Sequence, residues 1–186
     1  MKINLFLLTL FIAAAGIWTY WQHHREPPLF TPTIQNQETT RGVAHEPYVD
    51  NISFELLNSK IVELYDYKGR VVILHFWATW CAPCLVEFPE IIKMAQQTKE
   101  YVTVIAITTD KNKTDIERFL KGLKTPLPDN FLIVRDTDKT ISQNIFQTFR
   151  LPETYILKPD LSLHEKKIGA FEGWAEAEFI QKLTNL

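Results

Sequence analysis

Apolar residues form two short, dense runs in this chain, at residues 71–78 and 101–107. Both runs are rich in β-branched residues, and aromatic residues add to the first. Runs of this length and composition are typical of strands that are buried on both faces of a sheet. The pattern therefore predicts two neighbouring central strands.

The first run turns through Trp80 into the sequence Cys81-Ala82-Pro83-Cys84, and a helical pattern follows it. The apolar positions that share one side of this predicted helix are Leu85, Phe88, Ile91, Ile92 and Ala95. The helix should continue to about residue 98. A pair of cysteines thus stands where a central strand passes into the N-terminus of a helix.

The other elements are shorter. Alternating apolar residues at 52–56 and 61–64 predict a hairpin. Further strands are predicted at 131–134, 155–157 and 163–168, and further helices at 114–123, 140–149 and 174–183, with Thr114 or Asp115 near the first N-cap. Alternation of strands and helices favours parallel pairing, and the last hairpin is antiparallel. We expect an α/β domain with a mixed central sheet flanked by helices.

The N-terminal segment, residues 1–21, is almost entirely apolar after Lys2. As a helix it would span about 28 Å, which is close to the thickness of a bilayer core. Trp18, Tyr20 and Trp21 suit the membrane interface at its outer end. The alternative is a cleaved signal peptide with a small-residue site at residues 13–15; against it, the apolar run continues past that site.

A polar, proline-bearing linker is predicted at residues 22–47, and the folded domain at residues 48–186. Both a membrane anchor and a signal peptide would carry this domain across the cytoplasmic membrane. We therefore expect a single-pass protein of the bacterial inner membrane, with its catalytic domain in the periplasm or otherwise outside the cytoplasmic membrane. The chain of 186 residues has a formal net charge of −2, so it lacks the basic excess of a nucleic-acid-binding protein.

The two cysteines of the chain both belong to this one motif. A zinc site would need a second pair of ligands, so a redox dithiol is the better interpretation. Unpaired N–H groups at a helix start favour the thiolate that attacks disulfides. Cys81 is the predicted exposed attacking sulfur and Cys84 the shielded resolving sulfur, forming a redox-active disulfide. Pro83 fits the first helical turn and stiffens the loop.

The stretch from Phe76 to Cys84 resembles the active-site sequence of the thioredoxin superfamily. It is most similar to the membrane-anchored TlpA/ResA/CcmG (DsbE) branch, and the resemblance extends from about residue 48 to the C-terminus. The fold expected from it is thioredoxin-like, with an N-terminal β-hairpin and an internal helix–strand insert at residues 114–134.

The resemblance also implies roles for other residues. Pro152 should follow a cis peptide bond beside the disulfide and bind extended substrate; a trans proline at a strand start is the alternative. Glu87 lies one helical turn after Cys84, where relatives carry an acid that influences the dithiol; the alternative is a surface glutamate. His75 departs from the aspartate or asparagine of relatives. It is either a base that takes the proton of Cys84 or a neutral core histidine.

These features predict a thiol-disulfide oxidoreductase of the cell envelope that reduces protein disulfides and needs no cofactor. A transmembrane electron donor must then re-reduce it. Glu153-Thr154 after the proline resembles the CcmG subgroup, which makes apocytochrome c a candidate substrate. A disulfide-forming oxidant of the same fold is one alternative, because small differences in reduction potential decide the direction of electron transfer. A copper chaperone that uses the cysteines and His164 is another.

Overall fold

The computed structural model of the chain describes residue 15, residues 17–22 and residues 49–186. Residues 17–22 are helical. Most of the predicted anchor and the whole of the linker at residues 22–47, apart from its first residue, lie outside the described residues. Among the helices that the structure describes, none combines the length and apolar character needed to cross a membrane.

Seven strands and three α-helices make up the described domain. The strands are β1 (Ser53–Glu55), β2 (Ile61–Glu63), β3 (Val71–Trp77), β4 (Val102–Thr108), β5 (Phe131–Arg135), β6 (Glu153–Leu157) and β7 (Leu163–Ile168). The α-helices are α1 (Ala82–Gln97), α2 (Lys113–Gly122) and α3 (Ala177–Thr184). A 3-10 turn covers Leu64–Tyr67, and a π-helical turn covers Thr140–Ile145.

The central sheet is mixed and has the strand order β5-β4-β3-β6-β7. Strand β3 pairs in parallel with β4, which pairs in parallel with β5, whereas β6 runs antiparallel to both β3 and β7. All residues of β3 and β4 are buried, as their apolar runs predicted. The register places His75 between Ala106 of β4 and Thr154 of β6. The strand that leads into the cysteines is therefore the middle of the sheet.

The two faces of the sheet are covered differently. One face shares an apolar core with residues of α1, α2 and α3, and this core includes both cysteines. The other face packs against the β1–β2 hairpin and against Phe146, which follows the π-helical turn. The hairpin pairs Phe54 with Val62, and both side chains are buried. The predicted helix–strand unit at residues 114–134 is present as α2 and β5.

The predicted helix at residues 140–149 is wrong in extent, because the structure has only the π-helical turn there. The carboxylate of Asp136 accepts hydrogen bonds from the backbone N–H groups of Ile141 and Ser142, at 3.0 and 2.7 Å, which fixes the start of the turn. Gln147 has a positive φ of 51°. A helix cannot continue through that conformation.

The other helix starts also differ from the predictions. The N-cap of α2 is Asn112 rather than Thr114 or Asp115. The closing helix begins at Ala177 instead of residue 174. Trp174 lies in the preceding loop. Its side chain is buried, and its indole N–H donates a hydrogen bond to Glu87 of α1.

Candidate active site

The two cysteines form a disulfide at the junction of β3 and α1. The S–S distance is 2.03 Å and the two Cα atoms are 5.3 Å apart. Cys81 is the N-cap of α1, and Pro83 occupies the first turn. The backbone N–H of Cys84 donates to Cys81 Sγ across 3.3 Å. The positive end of the helix therefore faces this sulfur, where it would stabilise a thiolate.

The structure agrees with the prediction of a shielded Cys84 but not with that of an exposed Cys81. Cys84 is fully buried, as expected for a resolving residue, but Cys81 has only 5% of its surface exposed. In this disulfide state both cysteines belong to the apolar core that also contains Trp77 and Phe88. The expectation of an exposed Cys81 is therefore wrong for the oxidised protein. Trp80, the residue before it, is 69% exposed and places an aromatic side chain at the surface next to Cys81 in the sequence.

A cleft of about 380 Å³ lies against the start of α1. Its lining residues come from α1 and from the loop after β7: Pro83, Val86, Glu87, Glu90, Ala170, Phe171 and Glu172. Val86 is exposed. Pro83, one of the two residues between the cysteines, thus forms part of a partly apolar cleft.

Glu87 is buried, so the alternative of a surface glutamate is wrong. Its Oε2 atom accepts hydrogen bonds from the backbone N–H of Phe171 at 3.0 Å and from the indole N–H of Trp174 at 2.9 Å. Burial raises the pKa of this carboxyl group, although both hydrogen bonds act in the opposite direction. A glutamate of this kind can hold a proton nearer to neutral pH than an exposed glutamate can.

His75 is completely buried on β3. Its Nδ1 atom lies 2.9 Å from Thr154 Oγ1, and its Nε2 atom lies 3.8 Å from Glu87 Oε1. Burial lowers the pKa of His75 to about 3. A histidine that is neutral down to such a low pH is a weak base for a thiol. This geometry favours the core-histidine interpretation over that of a base acting alone.

The Leu151–Pro152 peptide bond is cis, so the alternative of a trans proline is wrong. Pro152 is buried, and its carbonyl accepts a hydrogen bond from the N–H of Gly169 at 2.9 Å. Leu151 packs against the apolar core that contains the disulfide. The loop thus packs against the core that contains the disulfide, whereas its position directly beside the disulfide and its binding of substrate stay predictions.

Sequence reasoning missed Asp110, which holds the active-site loop. This buried residue follows β4, and its carboxylate accepts hydrogen bonds from the backbone N–H of Thr79 at 2.7 Å and from its hydroxyl at 2.8 Å. The hydroxyl of Thr108 donates to it at 2.6 Å. The carboxyl ends of parallel β3 and β4 lie side by side. An aspartate just after β4 could therefore have been recognised as a neighbour of the cysteine loop.

His164, the possible copper ligand, lies on β7, which β6 separates from β3. The register aligns Leu163 with Leu157, and Leu157 with Val72 near the start of β3. His164 is therefore near the end of the sheet opposite the disulfide. Within residues 15, 17–22 and 49–186, no group of three or more His, Cys, Asp or Glu side chains is arranged to hold a metal ion.

Comparison with protein families finds one that covers more than half of the chain. A family model described as AhpC/TSA matches residues 49–166. The thiol-disulfide oxidoreductase ResA of Bacillus subtilis is 35% identical over 114 residues, which are 59% of this chain and 59% of that protein. ResA of Bacillus cereus is 30% identical over 129 residues, 69% of this chain and 72% of that protein.

Two solved structures illustrate the likeness in fold. The thiol:disulfide interchange protein DsbE of Chlorobium tepidum has a TM-score of 0.63 at 24% identity, covering 75% of this chain and 95% of its own. StoA of Bacillus subtilis has a TM-score of 0.59 at 24% identity, covering 74% of this chain and 99% of its own. At these identities the likeness concerns the fold alone.

Proposed function

The chain belongs to the AhpC/TSA family and has a thioredoxin-like fold, and on this premise we propose that it is a thiol-disulfide oxidoreductase that reduces protein disulfides. The observation that carries the proposal is the Cys81–Cys84 disulfide at the N-terminus of α1. The names of its ResA relatives support the same reaction class.

The first step is attack by Cys81. In the reduced protein the helix N-terminus favours the Cys81 thiolate, which attacks one sulfur of a substrate disulfide. A mixed disulfide forms, and the other substrate sulfur leaves as a thiolate. Attack by Cys81 comes first because Cys84 is completely enclosed, whereas Cys81 keeps a small exposed edge.

The second step is resolution by Cys84. Its thiolate attacks Cys81 Sγ, the mixed disulfide breaks, and the second substrate sulfur leaves. Two electrons have then passed to the substrate, and the Cys81–Cys84 disulfide of this structure has formed. An external dithiol must return those electrons before the next cycle.

The location and partners of the protein extend this proposal. The apolar residues 1–21 support a membrane anchor, with residues 22–47 as a linker to an extracytoplasmic domain. A transmembrane electron donor would then supply reducing equivalents. Apocytochrome c is the candidate substrate, which rests on the Glu153-Thr154 resemblance alone.

Substrate trapping tests the proposal. Cys84→Ser should accumulate a mixed disulfide with a peptide disulfide, because the first attack survives and resolution does not. Cys81→Ser should form none and should lose exchange. Non-reducing mass spectrometry of the full chain detects the adducts. Normal turnover by the Cys84→Ser variant would show that these roles are wrong.

A further inference from the structure

The cleft at the start of α1 lies next to the residues that react. Pro83 is one of its lining residues and stands two positions after Cys81. A substrate cysteine that is joined to Cys81 therefore brings its own neighbours in the sequence to the mouth of this cleft. The volume of about 380 Å³ is at the lower end of the usual range for ligand pockets. A short segment of a protein substrate is thus the kind of occupant that fits.

The middle of the cleft is apolar. Val86 is 77% exposed, and Phe171 is half-buried. Ala170 and Pro83 extend the same apolar surface, and both are exposed. Apolar surface of this kind loses contact with water when an apolar side chain covers it, and that loss is favourable. The cleft therefore favours an apolar residue.

The rim of the cleft is acidic. Glu90 of α1 and Glu172 of the loop before α3 both line the cleft, and both are exposed. The Nζ atom of Lys93 lies 4.0 Å from Glu90 Oε2, which is a weak surface pair. Within the described part of the chain Glu172 forms no ion pair, and residues 168–181 contain no lysine or arginine. Charge complementarity therefore favours a cationic residue in the bound segment.

The ring of Phe171 is a fixed wall of the cleft. The ring centroids of Trp174 and Phe179 lie 5.3 and 5.1 Å from its own centroid. The ammonium group of Lys167 lies 4.1 Å from that centroid, where the face of the ring attracts a cation. The backbone N–H of Phe171 donates to Glu87 Oε2 at 3.0 Å, which ties the loop to α1. These contacts hold the ring from several sides and leave the cleft in front of it.

Gly173 leaves the space that the Phe171 ring needs. A Cβ atom at position 173 would lie 2.6 Å from Phe171 Cζ, which is closer than two non-bonded carbon atoms approach. The φ angle of Gly173 is not positive, so its backbone suits alanine as well. Gly173→Ala would therefore act by displacing the ring. Because Trp174, Phe179 and Lys167 enclose its other sides, the ring would move into the cleft.

We propose that this cleft binds the residue next to the reacting cysteine of a protein substrate, and that Gly173 sets the size of the cleft through the Phe171 ring. The preferred segment has a medium-sized apolar residue beside its cysteine and a lysine or arginine close by, facing Glu90 and Glu172. Gly173 and Lys167 are positioning residues, because both act through Phe171. This inference rests on the proposed function and names the substrate segments that it selects.

Selectivity between peptide disulfides tests the proposal. The reduced full chain is mixed with peptides that carry glycine, leucine or tryptophan next to the cysteine, before it in one series and after it in another. The rate of mixed-disulfide formation is measured for each peptide. A ratio of two such rates does not depend on the fraction of active protein or on the general reactivity of Cys81. In the series that reaches the cleft, leucine should react about 10-fold faster than glycine, as in other apolar pockets.

Two variants should change the selectivity in opposite directions. Gly173→Ala narrows the cleft, so the ratio of leucine to glycine should fall to about 2. Phe171→Ala removes the wall, so tryptophan, which is slower than leucine in the unaltered chain, should react as fast as leucine. Gly122→Ala is the matched control, because a Cβ atom at that position has no atom within 4 Å. Its ratio should equal that of the unaltered chain.

The acidic rim is tested with a second pair of peptides, which carry lysine or glutamate two residues from the cysteine. Lysine should react about 5-fold faster at low ionic strength, and the preference should disappear at about 0.5 M salt. Glu172→Gln should lower the preference to about 2-fold. Glu100→Gln, an exposed change beyond the other end of α1, is the matched control and should keep the full preference. Equal rates for the two peptides at low ionic strength would overturn the assignment of a cationic segment.

The outcomes separate this proposal from the proposed function. Equal rates for glycine and leucine in both series, or an unchanged ratio in Gly173→Ala, would overturn the role of the cleft while leaving the Cys81–Cys84 chemistry intact. Absence of any mixed disulfide in Cys84→Ser would instead overturn the proposed function. If Gly173→Ala fails to fold, the selectivity of the unaltered chain and of Phe171→Ala still decides the question.

Discussion

Removal of the Asp110 carboxylate should destabilise the protein markedly, because this one group accepts several hydrogen bonds. The structure assigns three hydrogen bonds to this carboxylate: from the N–H and the hydroxyl of Thr79 and from the hydroxyl of Thr108. Two of them hold the loop between β3 and the cysteines. Asp110→Ala removes all three acceptor contacts at once.

The magnitude follows from those contacts. Hydrogen bonds to a charged group contribute about 1.5–3 kcal/mol each, so three sum to about 4.5–9 kcal/mol. Thr79 is only partly buried, so water can replace some of this loss. We therefore expect the free energy of unfolding to fall by about 3–5 kcal/mol, as for other broken buried networks. Asp110→Asn keeps one acceptor oxygen and should lose about 1–2 kcal/mol.

Urea unfolding of the oxidised full chain, followed by tryptophan fluorescence, measures this change. Asp129→Ala is the matched control: its side chain is 91% exposed and pairs with Lys99, so the loss should stay within about 0.5 kcal/mol. Exchange with a peptide disulfide should also slow in Asp110→Ala, because the loop that carries Cys81 is released. A stability and an exchange rate equal to those of the control would refute the assignment of Asp110 as the anchor of this loop.

Two further predictions concern pH and location. Burial lowers the pKa of His75 to about 3, so between pH 3 and about 6.5 the unfolded chain binds one more proton at this residue than the folded chain does. Relative to His75→Leu, the free energy of unfolding should therefore fall by about 1.4 kcal/mol per pH unit as the pH falls below about 6.5. Urea unfolding that shows no such difference between the two proteins would contradict a neutral buried His75. The full chain should stay with membranes after alkaline carbonate washing, whereas residues 46–186 alone should be soluble; a mature N-terminus near Gly16 would favour the signal peptide instead.

The sequence predicted the strands and the position of the disulfide well, because both depend on local signals. Runs such as residues 71–77 specify a buried strand by composition alone, and the spacing of Cys81 and Cys84 places both in one helical turn. The hairpin was predicted from the alternation at residues 52–56, and the structure adds its register, which pairs Phe54 with Val62. These are short-range properties, and the structure adds little to them.

The surroundings of the disulfide were predicted less well, because they depend on contacts between distant segments. The bond between Glu87 and Trp174 joins residues 87 positions apart. The glutamate in it is buried on a helix whose pattern indicated a polar position, and the tryptophan lies before the closing helix instead of inside it. His75 and Glu87 were each recognised as candidates, but only the packing of β3 against α1 shows that they face each other.

The reduction potential of the full chain decides whether Cys81 and Cys84 form a reducing dithiol. The measurement equilibrates the protein with glutathione buffers of known ratio and counts free thiols by mass spectrometry after alkylation. We expect a potential below about −200 mV, in the range of glutaredoxins and thioredoxin. A value near about −120 mV, typical of a strong oxidant, would contradict the assignment as a reductase.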